Sequence, residues 1–281
     1  MMRPGVITLL VCLLPLSTSL AENQLHFDHN ITALTYGDYT LTKVNLSADE
    51  FGNWRFELKQ GDELLYAMGD GEVHSGYLEA ALLPAIKAGV QQLALQRYTG
   101  GAHCCYFSAL LQLEPEYKVL FDSAHYGNSL GYELTAVDLD GEGTLELQQT
   151  VLTFDYFYVL PHVASPMPAA IFQYDEMTGR YVPANDRFAE HVKEIMQVAN
   201  ARRRMEETRA AANVEQIETY HPYLTAVMTV VLALAYTGQP EAARDFLETE
   251  YALPDKTELL HAYDQKLAEC AYFRELTGGN P

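Results

Sequence analysis

The segment Tyr132-Glu-Leu-Thr-Ala-Val137-Asp138-Leu-Asp140-Gly-Glu142-Gly143-Thr144-Leu145-Glu146-Leu147 decides how the chain is read. Two strand-like runs, Tyr132 to Val137 and Leu145 to Val159, flank a short acidic loop. Counting from Asp138, carboxylates stand at positions one, three, five and nine, and a glycine stands at six. That is the oxygen spacing of a calcium-binding loop, in which a glycine makes the sharp turn. An EF-hand is the wrong frame. It needs a helix on each side and a glutamate at position twelve, and here that position is Gln149.

Outward from this unit, the residues before Phe188 keep the same character. Trp54-Arg-Phe56-Glu-Leu58 alternates apolar and polar side chains, as a half-buried strand does. Gly61-Asp62 and Gly69-Asp-Gly71 are turn signals between such runs. Val90 to Tyr98 and Cys104 to Leu113 read as strands, and Thr178-Gly179 joins a hairpin. Tyr77 to Ala88 reads as a helix that Pro84 weakens. After Phe188, alanine, glutamate, arginine and leucine take over. Asn185 and Asp186 are candidate caps for a first helix. A second helix is expected from Tyr223 to Tyr236, after Pro222. Pro240 opens a third, and a fourth runs from Asp255 toward Leu276. The expectation is an α+β protein. A signal peptide covers residues 1–21, an antiparallel β-rich domain (sandwich or partial propeller-like) covers 22–187, and an α-helical segment covers 188–281.

The leader reading rests on Arg3, the apolar run Val6 to Leu16 and the small residues Ser19 and Ala21. It predicts a periplasmic or secreted protein. No later run is long enough to span a bilayer as a helix. Lysine and arginine number 18 against 38 aspartates and glutamates, a net charge of −20. That balance argues against nucleic acid as a partner and favours attraction of cations.

Upstream of the acidic loop stands Gly100-Gly101-Ala-His103-Cys104-Cys105. With Ser165-Pro-Met-Pro168 and the loop itself, it resembles a group of uncharacterised exported bacterial proteins that share a Gly-Gly-Ala-His-Cys-Cys motif. The loop is similar to the calcium motifs of FG-GAP and VCBS-type β-repeats. That resemblance implies Asp138, Asp140, Glu142 and Glu146 as side-chain ligands of a calcium ion. It implies the Thr144 carbonyl as a further ligand and Gly143 as the turn. Glu142 departs from the pattern, which has aspartate or asparagine there, and one loop is present where those families carry several.

The leading expectation is an exported, non-catalytic binding or structural protein stabilised by calcium. The alternative is a thiol-based redox or metal-binding enzyme using His103, Cys104 and Cys105. Adjacent α-carbons lie about 3.8 Å apart, below the usual disulfide span of about 4.4–6.8 Å. A strained vicinal pair, a bridge to Cys270 and buried thiols therefore all stay open. Two weaker candidates are the His26/Asp28/His29 cluster and the trio Ser108, Asp122 and His125. The trio lacks the Gly-x-Ser-x-Gly turn of a nucleophile elbow. Leu232 to Phe246 resembles a single tetratricopeptide hairpin and offers a surface for a protein partner.

Overall fold

The computed structural model describes residues 33–46, 54–69, 77–86, 90–99 and 105–279. Among the described residues, twelve strands form three four-stranded sheets, each an antiparallel meander in which sequence neighbours are also spatial neighbours. The first sheet holds β1 Ala33–Tyr36, β2 Tyr39–Asn45, β3 Trp54–Gln60 and β4 Glu63–Met68. The second holds β5 Tyr77–Leu83, β6 Gln92–Tyr98, β7 Tyr106–Gln112 and β8 Lys118–Asp122. The third holds β9 Leu130–Val137, β10 Glu146–Val151, β11 Ala169–Asp175 and β12 Arg180–Pro183. Six helices follow: α1 Ala189–Ile195, α2 Val198–Arg209, α3 Ile217–Tyr236, α4 Pro240–Glu250, α5 Lys256–Glu269 and α6 Ala271–Leu276. The β-rich part ahead of a helical part is the predicted order.

Side-chain alternation makes the second sheet a middle layer. Leu93, Leu95, Ala109 and Leu111 join Leu41, Phe56 and Leu58 of the first sheet in one buried cluster. Their neighbours Ala94, Leu110 and Leu120 turn the other way. They meet Leu134, Ala136, Leu147 and Phe172 of the third sheet. The helices close that same cluster through Tyr223, Val227, Val231 and Tyr272. The second and third sheets and the helices therefore share one core, and the first sheet packs on the opposite face of the second. Three aromatic rings stitch it: Phe172 of β11 lies 5.3 Å from Tyr126 and 5.2 Å from Tyr272 of α6.

Several local expectations are corrected. Tyr77–Leu83 is a strand, because it pairs residue for residue with β6, from Tyr77↔Tyr98 to Leu83↔Gln92. Its Leu-Glu-Ala-Ala composition favours helix, and sheet pairing overrides that preference. The run after Val151 leaves the sheet, and Tyr156 and Tyr158 adopt left-handed backbone at φ 51° and 59°. Helix α3 starts at Ile217, so Pro222 lies inside it. The last helix is two, broken at Cys270 with φ −75° and ψ 107°.

Asn185 caps no helix. It is fully buried, and its Oδ1 accepts the Ile171 N–H at 2.7 Å while its Nδ2 donates to the Ala169 carbonyl at 2.7 Å. The Tyr272 hydroxyl lies 2.7 Å from the same Oδ1, which ties β11 to α6.

Candidate metal centre

The acidic loop joins β9 to β10 at one end of the third sheet. Asp138 organises it. Its Oδ1 accepts the Gly141 N–H at 2.7 Å, and its Oδ2 accepts the Gly143 N–H at 3.1 Å. Asp140 repeats the device, its Oδ1 accepting the Glu142 N–H at 3.1 Å. Such side-chain-to-backbone bonds hold tight acidic turns. Gly143 has φ 84°, a conformation that glycine adopts at low cost. Both oxygens of Asp138 and Oδ1 of Asp140 each keep a second lone pair for another partner.

Three of the four expected carboxylates converge. One oxygen each from Asp138, Asp140 and Glu146 lie within 4.8 Å of one another. Glu142 is not in that group. Its side chain is 70% exposed and reaches toward Arg187 at 3.9 Å. The Thr144 hydroxyl donates to the Ile86 carbonyl at 3.1 Å, which anchors the loop to the end of the second sheet.

Glu146 differs from its companions in burial. It opens β10 and is 1% exposed. Its Oε2 accepts the Leu139 N–H at 2.8 Å, and its Oε1 is buried without a hydrogen-bond partner. Burial pushes its carboxyl up to about 7. The Leu139 N–H pulls the value back, and the charges of Asp140 and Asp138 raise it further. A buried carboxylate oxygen with no donor is costly. It is satisfied either by a proton or by a cation placed among the three acids.

Arg187 is a participant that spacing does not reveal. It follows β12, and its guanidinium lies 3.4 Å from Asp140 Oδ2. Gln173 of β11 donates to the same oxygen at 3.3 Å. Gln173 lies on a neighbouring strand and Arg187 beyond the end of β12, both far from the loop in sequence, so no local pattern announces them.

Of the second motif, His103 and Cys104 lie outside the described residues, as do His26, Asp28 and His29. Cys105 is buried and disulfide-bonded. Cys270 is a free, buried thiol, so no bridge joins the two. The Cys270 sulfur instead accepts from the Tyr236 hydroxyl at 3.2 Å.

The Ser108, Asp122 and His125 trio is dispersed among other partners. Ser108 is fully buried and bonded to Gln149, Asp122 accepts the Tyr66 hydroxyl at 2.9 Å, and His125 is 67% exposed beside Glu275. Among the described residues no helix is long and apolar enough to cross a membrane. Comparison with family models, curated proteins and solved structures found no match.

Proposed function

We propose that this chain is an exported binding or structural protein whose loop 138–146 holds one calcium ion, and that the ion stabilises the fold. The observation that carries the reading is Glu146, a fully buried carboxylate with an unpartnered oxygen beside Asp138 and Asp140. Hard carboxylate oxygens in a flexible, glycine-turned loop suit calcium better than zinc or copper. The ion would pin the turn between β9 and β10. Its anchor at Ile86 would pass that order to the second sheet. Export agrees with a disulfide at Cys105, since such bonds persist in oxidising compartments. Contact with a protein partner belongs to the helical half. A groove of about 480 Å³ lies there, between Val163, which precedes the helices, and Ile195, α2 and α3.

Binding to the folded state alone adds about 2.7 kcal/mol at a hundredfold excess over Kd. For a chain of this size that corresponds to a rise in Tm of about 5–10 °C. Thermal unfolding in EDTA and in millimolar calcium is the test. The parent protein gains that rise, and Asp138→Ala and Asp140→Ala do not. An unchanged Tm in the parent protein rejects the proposal.

A further inference from the structure

The geometry points to a second, reactive site: we propose that Asp155, His162 and Tyr132 form a nucleophilic triad in which the Tyr132 hydroxyl attacks carboxylic esters. The site lies apart from the calcium loop and goes beyond the function proposed above.

Asp155 Oδ1 lies 2.8 Å from His162 Nδ1, and the Tyr132 hydroxyl lies 3.2 Å from His162 Nε2. A carboxylate can only accept from Nδ1, so Nδ1 carries the proton. That leaves Nε2 with a lone pair for the phenol O–H. Nucleophile, base and orienting acid thus stand in series, the arrangement that activates a weak nucleophile. The Asp155 and His162 side chains are 14% and 20% exposed, so the pair is shielded from bulk water. The Tyr156 ring lies against the imidazole, with centroids 5.7 Å apart.

The fold goes to some length to aim Tyr132. Gly131 pairs with Thr150 and Thr135 with Gln148, so Tyr132, Glu133 and Leu134 bulge opposite Gln149 alone. Bulges re-aim side chains and recur beside active sites. Tyr132 itself has φ 61°, a strained value for a residue with a Cβ. Two buried glutamines hold the bulge open: Gln149 donates to the Tyr132 carbonyl at 3.1 Å, and Gln96 accepts the Leu134 N–H at 2.8 Å. Ser108 joins the two glutamines. Tyr158 is similarly strained, but its hydroxyl is spent on Asp255 at the start of α5. Tyr132 is different. It lines an open groove of about 320 Å³ with Tyr106, Thr135 and Gln148, so a small ester has access.

The phenol oxygen bonds to the ester carbonyl carbon while His162 Nε2 takes the phenol proton. The alcohol leaves with that proton, and the acyl group stays on Tyr132. Water then adds to the aryl ester, giving its proton to His162. The phenol recovers that proton as the acid departs. Burial and the Asp155 charge both raise the Tyr132 pKa, which keeps the phenol protonated at rest and makes a base necessary.

p-Nitrophenyl acetate is the probe. In the parent protein, the expected result is acetyl-Tyr132 by peptide mass spectrometry or steady p-nitrophenolate release. The rate should be about a hundredfold above that at the exposed Tyr156 or in Tyr132→Phe, a typical general-base contribution. Asp155→Asn and His162→Gln should both lose the excess while keeping the parent's circular dichroism. Acetylation of Tyr132 no faster than that of Tyr156, with release unchanged in Tyr132→Phe, overturns the proposal. That outcome requires only the parent protein and a hydroxyl deletion. Release that persists in Tyr132→Phe through an acylated His162 overturns it as well.

Discussion

The two ends of β10 carry two different kinds of site. At its start, loop 138–146 is built from its own residues: aspartates bond to backbone N–H groups two to five positions away, and a glycine takes the left-handed turn. Beyond its end, the segment from Leu152 to Ala164 brings Asp155 and His162 to a tyrosine on a neighbouring strand. The first site places its strain on glycine, where it costs little. The second places strain on Tyr132 and Tyr156, where it costs on the order of 1–2 kcal/mol per residue. A local loop can be written in spacing. A site assembled across a bulge cannot.

The sharpest way to test the loop half of this contrast is Glu146→Gln. The folded-state pKa of Glu146 is raised from 4.5 to about 7, above its unfolded value. Without an ion, ionising this group therefore destabilises the fold. The penalty grows as pH rises from about 4.5 through about 7 and is then constant, at roughly 3 kcal/mol. Urea unfolding in EDTA should show the parent losing stability across that window relative to Glu146→Gln. The variant should also lose the calcium response. Parallel pH curves for the two proteins would mean that the buried carboxylate is already compensated.

A smaller pair of changes compares strain directly. Gly143→Ala puts a Cβ at φ 84° with no clash and should cost about 1 kcal/mol through backbone strain alone. Tyr156→Gly relieves a similar strain but loosens the unfolded chain. The two effects nearly cancel, leaving a change within about 0.5 kcal/mol. Urea midpoints for the two variants measure the contrast. Equal losses in both would show that the second site is no more strained than the first.

The sequence made the order of strands and helices legible, because alternation and composition are local properties. Trp54 to Leu58 and the shift at Phe188 suffice for that. The acidic loop was legible for the same reason, down to the turn at Gly143. Glu142 stands apart from the three converging carboxylates because spacing fixes position along the chain and not reach. Its side chain swings out to Arg187. The helix expected at Tyr77 failed because its partner strand lies some fifteen residues downstream. His162 left no signal, since it is an ordinary residue until the β9 bulge supplies Tyr132. Asn185 looked like a cap and is a buried pin, because its partners Ile171 and Tyr272 are distant in sequence.

The central claim is that Asp138, Asp140 and Glu146 enclose one cation. Equilibrium dialysis of the metal-free protein against radioactive calcium at pH 8 tests it most directly. One ion should bind per chain, and that binding should be lost in Asp138→Ala and in Glu146→Gln. Binding that stays at background in the parent protein, or that survives both substitutions, contradicts it.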